Sequence, residues 1–127
     1  KVPVQDLRNI IYFPDVMPTL AAVAGAQKHL PHNINGINIL PLLYGKEMDT
    51  DNRLLYWEFP GKQRAARRGD WKAVSVKAGA PLELYNISKD MEEKNNLASQ
   101  YPEMVAEFDR EMKEQHHPTP NWPLEGE

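Results

Sequence analysis

Apolar side chains near the end of the chain recur at the spacing of an α-helix. Tyr101, Val105, Phe108 and Met112 follow one another at i, i+4, i+7 and i+11, which places them in one stripe along a helix of 3.6 residues per turn. Pro102 suits the first helical position, because a proline there gives up no hydrogen bond. The pattern predicts an amphipathic helix that begins at Pro102 and needs a surface to cover its apolar side.

The middle of the chain has the two-residue period of β-strands. Residues 53–59 alternate between two faces and carry large apolar side chains on both. Residues 63–68 and 71–76 flank Gly69-Asp70, a pair typical of a tight hairpin turn, and residues 82–86 form a fourth short strand. The predicted fold class is α+β: a three- to four-stranded antiparallel sheet packed against the C-terminal helix, with an N-terminal short helix and loops. We expect Trp57 and Trp71 to lie in the core between sheet and helix.

The first third of the chain predicts a short helix over residues 15–24, with Asp15 as its N-cap. Residues 26–36 are rich in loop-forming residues, and residues 37–43 predict an apolar helical turn. We interpret residues 1–127 as a single domain: a helix and loop segment (1–52), the sheet with its helix (53–116) and an extended proline-rich tail (117–127).

Composition excludes several classes of protein. The chain has 15 basic and 18 acidic residues among 127, a net charge of −3, which argues against a general nucleic-acid or membrane-surface binder. Its apolar runs fall short of the ~20 residues of a membrane span. It has no cysteine, so disulfides, thiolate metal sites and cysteine nucleophiles are excluded within it. Because it does not begin with methionine, we expect an internal fragment of a longer protein.

A basic cluster lies around the predicted hairpin turn. Residues 62–72 carry five basic side chains against one acidic, a net charge of +4. One interpretation is a site for sulfate, phosphate or an acidic sugar, since arginine binds oxyanions through two hydrogen bonds. The other, which we favour, is a charged solvent edge that protects the sheet from aggregation. The acidic segment 90–114, with a net charge of −5, is interpreted as the solvated side of the last helix, attracted to the basic hairpin.

Isolated motifs add little chemistry. Arg68-Gly69-Asp70 is interpreted as a turn and not as an adhesion signal, and Asn86-Ile87-Ser88 is a glycosylation sequon. We find no phosphate-binding loop, nucleophile elbow or metal-ligand spacing. The residues alone therefore predict no catalytic residue and no metal ligand in this chain.

Six segments, taken in order, resemble the C-terminal subdomain of sulfatases of the alkaline-phosphatase-like superfamily. The resemblance spans roughly residues 15–110. The segments are 15–20 (DVMPTL), 36–45 (GINILPLLYG), 55–59 (LYWEF), 64–74 (RAARRGDWKAV), 83–87 (ELYNI) and 96–103 (NLASQYPE).

The resemblance implies that the chain is the C-terminal part of a bacterial sulfatase that hydrolyses aryl or carbohydrate sulfate esters outside the cytoplasm. In such a protein calcium and a formylglycine belong to the N-terminal catalytic domain, which would be the partner of this chain, so the fragment alone is predicted to be inactive. The loop after the Trp-Glu strand would shape the rim of the active site, which makes Glu58, Lys62, Gln63 and Arg64 candidate substrate-rim residues. We also expect the segments Val16–Val23 and Ile37–Leu43 to dock on the catalytic domain. The alternative is a stand-alone module that binds anions or sulfated glycans through the basic hairpin 62–72.

Overall fold

The computed structural model describes residues 9–59, 63–77 and 79–117. The chain divides into two compact units, residues 1–51 and residues 52–127. The extended tail that we predicted lies almost wholly outside the described residues. Within the described ranges, no helix combines the length and apolar character needed to cross a membrane.

The second unit is built on a four-stranded antiparallel sheet in which each strand pairs with the next one in sequence. Its strands are β1 (Leu55–Phe59), β2 (Gln63–Arg68), β3 (Trp71–Ser75) and β4 (Glu83–Asn86). The turn between β2 and β3 is Gly69-Asp70, and Gly69 has a φ of 55°, a left-handed conformation that glycine adopts without strain. The predicted α+β class is confirmed, and all four predicted strands form, with ends that differ from the prediction by at most two residues.

The C-terminal helix α3 (Pro102–Gln115) covers one face of this sheet. Ala66 and Ala73 are paired at the centre of that face and are fully buried. Because alanine projects little from a sheet, these positions leave room for Phe108 and Met112 of the helix, which are also buried in the same cluster. The predicted helical stripe thus finds its apolar surface on the sheet, and burying each large side chain stabilises the unit by about 1.5–3 kcal/mol.

The two tryptophans lie on opposite faces of the sheet. Trp71 packs against the helix-side core, and its ring meets that of Tyr101 edge to face at a centroid distance of 5.0 Å. Tyr56 also packs against this core, so its neighbour Trp57 projects from the other face. The expectation of a helix-side core position is confirmed for Trp71 and wrong for Trp57. Both faces of β1 carry large apolar side chains, so its pattern could not reveal which face receives the helix.

The first unit contains two short α-helices, α1 (Val16–Val23) and α2 (Leu40–Leu43), and two 3₁₀ turns, Phe13–Asp15 and Gln27–His29. Asp15 stands at the N-cap position of α1, as predicted, but its side chain does not cap the helix. Instead the buried carboxylate accepts hydrogen bonds from the backbone N–H of Tyr12 at 3.0 Å and of Ile37 at 2.9 Å. The sequence could not predict the second partner, which is 22 residues away.

A second polar side chain of α1 binds the same stretch of backbone. The Thr19 hydroxyl donates to the Asp15 carbonyl at 2.6 Å and accepts from the backbone N–H of Ile39 at 3.0 Å. Gly36 passes so close to α1 that an added Cβ would lie 1.9 Å from the Pro14 carbonyl oxygen. Two buried side chains and one glycine therefore lock residues 36–39 against the first turn of α1.

Candidate functional site

The predicted rim residues lie on the hairpin formed by β1 and β2, but they do not converge. Glu58 stands directly opposite Arg64 in the register of these strands. Both share the helix side of the sheet with Tyr56, whereas Gln63 projects from the other face and is exposed. Lys62 lies outside the described residues. The structure therefore brings Glu58 and Arg64 together and separates Gln63 from them.

The Glu58 carboxylate is engaged by two other side chains of the same unit. Its Oε1 atom accepts a hydrogen bond from the Tyr56 hydroxyl at 2.5 Å and lies 2.6 Å from Nδ1 of His116. The Glu58 side chain is 17% exposed and that of His116 is 5% exposed. His116 directly follows α3, so Glu58 fastens the end of the helix to β1.

Burial and charge keep the Tyr56 hydroxyl protonated. Burial, followed by the hydrogen bond to Glu58, raises the pKa of Tyr56 well above its ordinary value of 10.0, and the Arg64 guanidinium opposes that rise. A phenol with a raised pKa stays protonated and donates a hydrogen bond to the carboxylate. Tyr56, Glu58 and His116 thus form one hydrogen-bonded cluster. The Arg64 guanidinium, a group with the geometry to bind an oxyanion, lies beside it and interacts with the Tyr56 hydroxyl.

Two cations of the basic hairpin are paired with the acidic segment. Arg68 binds Glu107 at 2.9 Å and also Glu111, both on α3, and its guanidinium lies 5.6 Å from the centre of the Phe108 ring. The bond from Arg68 lowers the pKa of Glu107 and raises that of Arg68. Lys72 binds Glu93 at 2.5 Å. These pairs weaken the interpretation of the hairpin as an open anion site, because part of its positive charge is already neutralised.

The isolated motifs have structural explanations. The Asn86 side chain of the sequon is buried, and its Oδ1 accepts a hydrogen bond from the Ser88 hydroxyl at 2.7 Å. Arg68 of the Arg-Gly-Asp triplet is held in the ion pairs with α3. Neither motif presents the side chain that its modification or recognition would require.

The described residues offer no group of ligands for calcium, and the sequence offers no precursor motif for formylglycine. Over residues 9–59, 63–77 and 79–117, no three His, Asp or Glu side chains group as metal ligands would. The sequence has no cysteine and no serine followed by x-Pro-x-Arg, from which a formylglycine could be made. No chemical step through either group is therefore assigned to these residues.

Sequence reasoning missed Tyr56 and His116 as members of the polar cluster. His116 meets Glu58 across 58 residues of chain. Only the register of β1 and β2, together with the seat of α3 on the sheet, brings these groups together. No local spacing in the sequence signals that contact.

Sequence comparison finds sulfatases that align with most of the chain, although no protein-family model matches it. Arylsulfatase K of Xenopus laevis is 30% identical over 125 residues, which cover 87% of this chain and 23% of that protein. Arylsulfatase K of Canis lupus familiaris is 28% identical, covering 86% of this chain and 22% of that protein. An uncharacterized sulfatase of Schizosaccharomyces pombe is 32% identical over 74% of this chain and 19% of its own length.

Solved structures give the same answer for the fold. The crystal structure of Ps i-CgsB in complex with k-i-k-neocarrahexaose matches 88% of this chain and 26% of its own, with a TM-score of 0.69 and 28% identity. A 2-O glycosaminoglycan sulfatase matches 79% of this chain and 23% of its own, with a TM-score of 0.61 and 26% identity. The chain is homologous to a segment of the sulfatases.

That homology covers a limited part of the sulfatases. The aligned part of the chain spans between 19% and 26% of the length of these relatives. The phosphonate monoester hydrolase of Agrobacterium radiobacter shares the fold over 79% of this chain, with a TM-score of 0.58 and 22% identity. The fold of this segment therefore accompanies more than one hydrolytic activity. The relatives above include animal and yeast sulfatases, so the bacterial origin that we expect for this chain stays a prediction.

Proposed function

We propose that this chain is the C-terminal segment of a sulfate-ester hydrolase that acts on aryl or carbohydrate sulfates. The observation that carries the proposal is the similarity to arylsulfatase K, which extends over 87% of the chain for the Xenopus laevis protein. The agreement of the fold with solved sulfatases supports it. In this proposal the N-terminal catalytic domain of the longer protein supplies formylglycine and calcium, and the protein works outside the cytoplasm.

The role proposed for this segment is to shape the rim of the active site with the hairpin of β1 and β2. Arg64 is the residue best suited to meet the substrate, because its planar guanidinium binds an oxyanion such as sulfate through two parallel hydrogen bonds. Lys62 and Gln63 would extend the same rim. Glu58, whose carboxylate is shared between Tyr56 and His116, would be a positioning residue for the hairpin and would not touch the substrate.

The test is an assay of the longer gene product that carries this chain, beside the 127-residue chain alone. We expect the longer protein to release sulfate from 4-nitrophenyl sulfate or from a sulfated disaccharide, and the chain alone to release none. A phosphonate monoester serves as the competing substrate, because a phosphonate hydrolase shares the fold. Faster hydrolysis of the phosphonate than of every sulfate ester, or activity of the chain alone, would contradict the proposal.

Substitutions on the hairpin test the proposed rim. Arg64→Gln in the longer protein should raise KM with a small change in kcat, since Arg64 would bind the substrate and not the reacting bond. Arg110→Gln is the matched control, because Arg110 is an exposed arginine on α3. Glu58→Gln should lower thermal stability, and any change in KM should come from displacement of the hairpin, because Glu58 would not touch the substrate. An unchanged KM for Arg64→Gln would remove Arg64 from the proposed rim.

A further inference from the structure

Helix α1 has its polar side chains inside and its apolar side chains outside. Asp15 and Thr19, at its start and in its middle, are buried and bind backbone. Large apolar side chains lie on the outer side, at a spacing of three or four residues, and are mostly exposed. They are Phe13 (87% exposed), Val16, Met17, Leu20 (61%) and Val23 (65%). A surface helix of a complete globular protein shows the opposite arrangement.

The outer surface of α1 also lacks charge. The helix has no acidic residue in its first turn and no basic residue in its last turn, and residues 16–27 contain no charged side chain. A groove of about 720 Å³ runs beside it, lined by Phe13, Pro14, Met17, Leu20 and other largely apolar residues. Covering this surface removes apolar area from water and desolvates no charge, which is typical of permanent interfaces.

The segment Ile37–Leu43, which the sequence also predicted as a docking surface, is not comparable. Ile39 and Leu42 are buried within the first unit. The backbone N–H groups of Ile37 and Ile39 donate to the side chains of Asp15, at the N-cap of α1, and Thr19. This segment holds α1 in place, while α1 presents the open apolar side.

We propose that the apolar face of α1 (Phe13, Val16, Met17, Leu20 and Val23) is a permanent docking surface for the remainder of the sulfatase polypeptide. The inference rests on the proposed function, because the occupant is inferred from the greater length of the related sulfatases. The chain accounts for 22–23% of arylsulfatase K, so more than three quarters of a related protein lies outside it. The Asp15 and Thr19 hydrogen bonds fix the shape of the surface before it docks.

The first experiment compares one substitution in two proteins. Leu20→Asp should lower the Tm of the longer gene product by several degrees or abolish its soluble expression, because it would bury a charge in the interface. In the 127-residue chain the same substitution should leave the far-UV circular dichroism unchanged and reduce binding of the dye ANS. Met91→Asp is the control, since Met91 is equally apolar and 81% exposed in a turn of the second unit. It should change neither protein.

A second measurement covers the case in which the longer Leu20→Asp protein does not fold. The chain has no native cysteine, so Leu20→Cys gives one thiol whose modification by a maleimide can be located by peptide mass mapping. The thiol should react readily in the chain and be protected in the folded longer protein. Reaction at equal rates in both would overturn the inference, as would protection in a monomeric chain.

The remaining outcomes separate this inference from the proposed function. A stoichiometric dimer of the longer protein that Leu20→Asp dissociates would identify a second copy as the occupant and overturn the inference. A longer protein that hydrolyses sulfate esters but tolerates Leu20→Asp with an unchanged Tm would overturn the docking surface alone. A longer protein that is destabilised by Leu20→Asp yet releases no sulfate would support the docking surface and refute the proposed function.

Discussion

Replacing Asp15 by alanine should unfold the connection between α1 and residues 36–39. The Asp15 side chain is 1% exposed and accepts two backbone hydrogen bonds, at 2.9 and 3.0 Å. Alanine removes both acceptors. Each unsatisfied buried donor costs about 1–3 kcal/mol, so the loss of both acceptors in Asp15→Ala should destabilise the first unit by about 2–6 kcal/mol. Asp15→Asn keeps one acceptor oxygen and should cost about half as much.

The assay is amide hydrogen exchange followed by NMR, together with urea unfolding followed by circular dichroism. Asp15→Ala should speed the exchange of the Ile37 amide far more than that of amides in β2 and β3, because those strands lie in the other unit. Asp51→Ala is the control, since Asp51 is exposed, and it should change stability by less than about 0.5 kcal/mol. An Ile37 amide that remains as protected as in the wild type would refute the reasoning, because the carboxylate would then not hold it.

Three further predictions concern packing, acid and alkali. Gly36→Ala should lower the free energy of unfolding in urea by at least about 2 kcal/mol, because its Cβ would lie 1.9 Å from a carbonyl oxygen and the backbone must shift. An unfolding midpoint equal to that of the wild type would contradict this prediction. Arg68→Met should be less stable than the wild type above pH 4.5, and this difference should shrink as the pH falls below 4.5. The reason is that the ion pair, which lowers the pKa of Glu107, stabilises the fold only while the Glu107 carboxylate is charged. A difference in stability that does not depend on pH would contradict the ion pair. Burial and Glu83 raise the pKa of Tyr85 to about 12, and the pKa of Tyr56 is raised as well. A neutral phenol stabilises the fold below pH 10, so stability should fall between pH 10 and 12, and absorbance at 295 nm should show two late-ionising tyrosines.

The sheet and its helix were predictable because their signals are local. The stripe from Tyr101 to Met112 follows from burying one side of a single helix. Gly69-Asp70 is a turn signal of two adjacent residues, and it located β2 and β3 on its two sides. Strand β1 could not be assigned in this way. Because it carries apolar side chains on both faces, its sequence does not show on which face of the sheet Trp57 lies.

The polar contacts were not predictable from the sequence, because they join distant residues. The partner of Asp15 is 22 residues away and that of Glu58 is 58 residues away. Such pairs depend on how whole elements pack, and the sequence around a single Glu or His does not indicate which distant residue it will contact. The rim residues illustrate the difference, since Glu58 and Gln63 are close in sequence but project from opposite faces of the hairpin.

The order of the strands has a consequence for folding kinetics. Because every strand pairs with its neighbour in sequence, the sheet forms by closing only short loops, and the entropic cost of closing a loop rises with its length. Chains dominated by such local contacts fold faster than those that must join distant segments. The sheet can therefore begin to assemble on the ribosome as soon as residues 55–86 have emerged, without waiting for any segment upstream of them to supply a pairing strand.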